Sequence, residues 1–350
     1  MYCFKDFCFS FNCINMRKLP IISFGVAILC FWGLQFVPRK PATKGEGESK
    51  QGRQELVELG IEDILNKSKS SLDSLGSISL KEVESTLVTS SNDIKKETEA
   101  YKGLSKFWNE HQNYTVGAHY AEQVAQIEQT NQAWSIAGTT FGMAVNQRNT
   151  EPSWKLFAAR HAIQAFDKAL SINPQDNASS INKALVLVEL SMLDPTVPPM
   201  KGIGILKDLV LKDSTNVSAL AALGDMALRR NGFEDASKRY AQITRIKTAS
   251  ARQRCTAFMQ LAYCQSQLGA SVEANQSLKN AADEEFKNSK FANGSSDEQF
   301  SHYFILADLY FQLGDHDNAI LNYQKALPLA SNEATKKDIQ KQLSSLVVKH

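Results

Sequence analysis

Apolar residues recur three and four apart over most of this chain, in paired segments separated by short polar turns. That spacing predicts amphipathic helices packed as hairpins rather than strands. One stretch breaks the pattern: residues 19–37, LPIISFGVAILCFWGLQFV, hold nineteen positions without a charge. At ~1.5 Å per residue they reach about 28 Å, close to the ~30 Å hydrocarbon core of a bilayer. Arg17 and Lys18 precede this run, Pro38, Arg39 and Lys40 follow it, and Trp32 and Phe36 lie where an aromatic belt would be. The reading is a single transmembrane helix at 19–37. A cleaved signal peptide fits less well, since no small-residue pair marks a cut past Phe31. A lipoprotein signal would need a small residue before Cys30, where Leu29 stands.

Residues 1–18 resemble no folded element, and Met16 is an alternative start. Residues 38–97 read as a linker with short helices. Its first part (PATKGEGESKQGR) has a tether's composition, Leu56, Leu59 and Ile64 mark one helix, and Leu80, Val83 and Leu87 mark another. The Ser-rich stretch 68–79 between them is expected to be loop; the helices could pack on the repeats or lie on the membrane, and a spacer is the favoured reading.

Internal repetition decides the fold class. Near the C-terminus, Tyr303, Leu306, Ala307, Tyr310, Gly314, Ala319, Tyr323 and Ala326 alternate large and small residues through one helix, a Gly turn and a second helix. This resembles the tetratricopeptide repeat, whose small residues at positions 8, 20 and 27 let two helices approach while large ones at 4, 11 and 24 fill the gaps. Leu220, Leu223, Gly224, Ala227, Ala236 and Tyr240 follow the same template, as do Phe258, Leu261, Ala262, Gly269, Ala274, Leu278 and Ala281. Trp134, Ala137, Gly138 and Phe141 pair with Ala162, Phe166 and Ala169. Two fainter copies start at Tyr101 and Ser180; the second has Lys183 where an apolar residue belongs and a DPTVPP insert between its helices. The expected architecture is all-α: a transmembrane helix, then a TPR-type α-solenoid of about six helix–turn–helix repeats over 98–333, the last three clearest. Residues 334–350, with Ile339, Leu343, Leu346 and Val347, are expected to form a capping helix.

The chain is similar to bacterial proteins of this family that carry one N-terminal membrane anchor. That resemblance implies a single-pass protein of the inner membrane with its repeats facing the periplasm. It also implies that the first helix of each repeat lines a concave groove. Carried onto this sequence, the groove residues are Asp225 and Arg229, Met259 and Tyr263, and Phe304, Ile305, Asp308 and Phe311. Chaperone-tail adaptors of the family carry a Lys, Asn and Arg set there to clamp a carboxylate, and the matching positions here lack it. An aromatic, weakly charged lining suits an amphipathic helix or extended peptide of a protein partner. The alternative is a homo-oligomeric structural component of the cell envelope, its groove covered by the chain itself.

The remaining composition removes other classes. A net charge of +2, with no face evidently rich in Lys and Arg, gives no case for nucleic acid. Six scattered cysteines make no disulfide framework or CxxC pair, and six histidines make no HxxxH or HExxH pair. Gly202-Ile203-Gly204 follows a Pro-rich turn and lacks a GK[ST] ending, so its glycines read as helix-packing residues rather than a phosphate loop. Asp283-Glu284-Glu285 reads as a solvated helix end. No catalytic, cofactor-binding or metal-binding residues are expected, and an enzyme would have to hide its site in the insertions near Arg148 and Asn293.

Overall fold

In the computed structural model, residues 59–89, 93–287 and 295–347 are described, and all their regular structure is helical. Two helices, α1 (Ile61–Ser70) and α2 (Ser74–Thr89), precede six hairpins. The first three hairpins are α3 (Ile94–Glu110) with α4 (Tyr114–Glu128), α5 (Asn131–Asn146) with α6 (Pro152–Ile172), and α7 (Asn177–Leu193) with α8 (Met200–Lys212). The last three are α9 (Val217–Arg229) with α10 (Phe233–Thr244), α11 (Ala251–Gln267) with α12 (Ser271–Lys287), and α13 (Ser296–Leu313) with α14 (His316–Ala326). A 3-10 turn, Leu327–Leu329, leads into α15 (Glu333–Val347). From α2 onward each helix packs chiefly on its chain neighbours, so the described hairpins form a TPR-like α-solenoid.

Local chemistry sets where most helices begin. Asp93, Asn113, Thr130, Asp176, Asn216, Ser250, Ser295 and Asp315 each occupy an N-cap, and each side chain accepts a backbone N–H of the first turn. A cap of this kind contributes about 1 kcal/mol by satisfying a donor the helix itself leaves open.

Small residues then set how closely paired helices lie. A Cβ built on Gly202 of α8 would stand 2.3 Å from the Ala184 carbonyl oxygen of α7, so the two backbones are in direct contact there. Gly204, two residues on, faces nothing within 4 Å; of this glycine pair only Gly202 is a packing residue. At Gly224 the added Cβ would fall 2.8 Å from the Tyr240 ring, which fills the groove the glycine leaves. Lys183, out of pattern at its position, is accommodated by an ion pair with Asp167 of α6.

Both ends of the array are covered. Ile64 of α1 and Leu80 of α2 are buried with Leu104, Trp108 and Val116, so these helices pack on the first hairpin instead of spacing it. The expected loop over 68–79 is mostly helix. Ser68 Oγ donates to the Ile64 carbonyl at 2.7 Å within α1, which runs on to Ser70, and Asp73 Oδ1 accepts the Gly76 N–H at 2.7 Å at the start of α2. At the other end Ile339 and Leu346 of α15 are buried with Tyr323 and Ala326.

The expected localisation requires correction. Among the described residues no helix is long and apolar enough to cross a membrane. The 21-residue α6 carries Lys155, Arg160, Asp167 and Lys168 along its length. The single-pass, periplasm-facing placement is therefore withdrawn. The stretch 19–37 that carried it lies outside the described residues, as do residues 1–18 and the first part of the linker.

Candidate partner-binding surface

The eight residues expected to line a groove sit on α9, α11 and α13, the first helices of the last three hairpins. On α11, Met259 is half-buried against Cys255, Ala262 and Leu309, and the Tyr263 ring meets Phe233 edge-on at 6.0 Å. On α13, Ile305 packs against the same cluster as Met259, so these two share the seam between consecutive repeats. Phe304 stacks on Phe300 at 5.5 Å and meets Tyr323 at 6.1 Å, while Phe311 approaches the His316 ring at 6.4 Å. All five apolar side chains are half-buried, and Met259, Ile305, Phe304 and Phe311 pack against core clusters. Such residues can hold an apolar partner without first reordering.

The three charged residues have fixed partners. Tyr240 OH donates to Asp225 Oδ1 at 2.5 Å, and Tyr323 OH donates to Asp308 Oδ1. Both pairs join the first helix of a hairpin to its second, fifteen residues on. Burial pushes the Asp308 carboxyl up from its ordinary range, against the opposing pull of the tyrosine hydrogen bond. Arg229 pairs with Glu189 of α7, tying one hairpin to the preceding one. Arg229 is exposed and Asp308 half-buried; the Asp225 residue is exposed as a whole, yet burial around its carboxyl pushes that group up as it does Asp308.

Sequence reasoning missed one buried polar cluster. Glu285 is fully buried, not part of a solvated helix end. Its Oε1 lies 3.1 Å from an Arg252 guanidinium nitrogen and 3.0 Å from His302 Nδ1, joining α11, α12 and α13. Among the described residues its Oε2 has no hydrogen-bond partner. Glu284 beside it pairs with Arg254 at 2.9 Å, and Asp283 alone of the three is exposed. The only sequence signal was two arginines, Arg252 and Arg254, opening a helix without acidic partners in that helix. Cys255 nearby is buried and free, its thiol pushed up to about 12, chiefly by burial. Such a thiol is a core group, not a nucleophile. Among the described residues no group of three His, Cys, Asp or Glu is placed to hold a metal ion.

The family model described as tetratricopeptide repeat matches residues 302–333, which are most of α13 and α14 with the turn that follows. No curated protein matches the chain. Among solved structures, a thermophilic TPR protein of Thermus thermophilus is 21% identical, covering 62% of this chain and 99% of its own at a TM-score of 0.36. Pseudomonas aeruginosa pilF is 16% identical over 63% of this chain and 91% of its own, TM-score 0.39. Yeast Tom70 is 14% identical over 91% of this chain and 68% of its own, TM-score 0.42.

Proposed function

We propose that this chain is a non-catalytic interaction scaffold that holds a helix or peptide of a protein partner on the first helices of its last three hairpins. Tetratricopeptide repeats in general mediate protein–protein interaction, and residues 302–333 match that repeat. The observation that carries the reading is the row of half-exposed apolar side chains, Met259 and Tyr263 on α11 followed by Phe304 and Phe311 on α13. The two carboxylates expected in the groove, Asp225 and Asp308, are engaged by tyrosines, so the row offers chiefly contact area.

Affinity capture with the full chain tests it, using Phe304→Glu and Tyr263→Glu variants whose helical circular dichroism matches the parent. The expected result is one partner recovered in stoichiometric amount by the parent and lost by both variants. Recovery unchanged by either substitution would reject these helices as the site. Parent self-association lost in both variants would make a second copy the occupant.

A further inference from the structure

A cleft of 740 Å³ lies away from the helices just discussed. Its walls are Ser214 and Thr215 in the turn between α8 and α9, Lys238 and Gln242 on α10, and Arg245, Ile246, Lys247 and Thr248 before α11. None of these residues belongs to α9, α11 or α13.

Charge sets this cleft apart. Residues 212–254 contain nine Lys and Arg against four Asp and Glu, a net +5, while the whole chain is only +2. Four of those arginines are spent in ion pairs: Arg229 with Glu189, Arg230 with Asp235, Arg252 with Glu285 and Arg254 with Glu284. The cleft cations are not. Among the described residues Lys238, Arg245 and Lys247 make no ion pair, and all three are exposed. Asp235, three residues before Lys238, is taken by Arg230, and Asp213, beside the Ser214 wall, is turned onto its own loop. Its Oδ1 accepts the Thr215 N–H at 2.9 Å and the Thr215 hydroxyl at 2.7 Å. Gln242 Nε2 donates to the Ser214 carbonyl at 2.9 Å and fixes one wall against the other. The fold thus gathers three cations, spread over ten residues of sequence, onto one cleft with hydroxyl donors.

We propose that this cleft is a second docking site, taking an acidic stretch of a polypeptide through its carboxylates. A cleft of a few hundred cubic ångströms has the size of a short ligand segment. Its Ile246 floor and the aliphatic stems of Lys238 and Lys247 suit a chain with side chains better than a bare anion. Nucleic acid fits worse, because no aromatic residue lines the cleft for base stacking and three cations fall short of the phosphate track a duplex contacts.

Fluorescence anisotropy of a labelled oligo-glutamate peptide against the full chain tests this, at low and at physiological salt. Saturable binding is expected, weaker at the higher salt, with Kd raised about tenfold by the pair Lys238→Glu and Arg245→Glu. Lys81→Glu with Lys341→Glu makes the same charge change elsewhere and is expected to leave Kd within about twofold. Lys247→Gln, a single exposed change, keeps the test open if the double variant loses helical circular dichroism; it is expected to weaken binding about two- to threefold. Absence of saturable binding, or equal weakening by both charge-reversed pairs, would overturn the proposal. Tighter binding of a single-stranded oligonucleotide, lost in Lys238→Glu with Arg245→Glu, would replace it with a nucleic-acid site.

Discussion

The hydroxyl of Tyr323 donates to the Asp308 carboxylate, and Tyr240 stands in the same relation to Asp225 two hairpins earlier. In each case the large ring that fills the inter-helix groove also carries the donor that holds the acid on the facing helix. Tyr323 is 1% exposed, so its phenol loses its only protein acceptor among the described residues if the acid is removed. Tyr323→Phe keeps the ring and deletes the donor. It should destabilise by about 1–3 kcal/mol, the range for a hydrogen bond to a charged group. Tyr240→Phe should cost a similar amount, because the Tyr240 ring is equally buried and burial pushes the Asp225 carboxyl up as well. Urea midpoints of the two variants measure this, and no loss in either would mean that water replaces both donors.

The same pair makes a pH prediction. The Asp308 carboxyl is raised above its ordinary 3.8, first by burial, so the folded state holds this proton more tightly than the unfolded chain. Its contribution to stability is then fully present below about 3.8 and is lost as pH rises through the folded value. Asp176, Asp194 and Asp213 act oppositely; their carboxyls are held low, and their contribution is lost on acidification. Subtracting the parent's melting curve from that of Asp308→Asn cancels those three. The difference should move in favour of the asparagine variant between pH 4 and pH 7, and a flat difference would mean that Asp308 titrates normally.

The hairpins themselves were legible because their signal is a contact rule. Gly224 and Tyr240 are both readable from the sequence, one as the small residue and the other as the large one that needs it. What lay beyond the sequence were contacts whose partner is on another helix. Asp225 and Asp308 were read as facing a ligand, yet each hydrogen-bonds to a tyrosine fifteen residues away. Glu285 looked solvated beside Asp283 and Glu284, since its two partners come from the helices on either side. The cleft cations Lys238, Arg245 and Lys247 are unremarkable in the sequence and line a common cleft only because the turn at Ser214 lies beside α10 and the segment that follows it.

Two glycines separated by one residue provide an internal control for the contact rule. At Gly202 an added methyl meets a backbone carbonyl at 2.3 Å, and backbone has no alternative rotamer, so α7 and α8 must part. Gly202→Ala should therefore destabilise by about 1–3 kcal/mol through overpacking. At Gly204 the same methyl meets nothing within 4 Å. Gly204→Ala should stabilise by about 0.5–1 kcal/mol, because alanine loses less backbone entropy in a helix. Thermal melts of the two single variants should shift in opposite directions; a shared direction would show that the crossing is not this close.

Glu285 supplies the severest test of the packing between the last two hairpins. The carboxylate is 0% exposed and the His302 and Arg252 side chains beside it are 5% and 27% exposed. A buried acid is tolerated only while a cation and hydrogen bonds compensate its lost hydration, and here both come from neighbouring helices. Glu285→Ala removes the acceptor they share, and breaking a buried pair on one side costs about 3–5 kcal/mol. Glu284→Ala touches a pair at the edge of the same seam and should cost about 1 kcal/mol. Hydrogen exchange adds the location: in Glu285→Ala, protection should fall across α11, α12 and α13 together, while α5 and α6 keep theirs, since a solenoid transmits stability only between neighbours. A Glu285→Ala variant as stable as Glu284→Ala would mean that the acid reaches water, and that the seam is held by Met259, Ile305 and Leu309 alone.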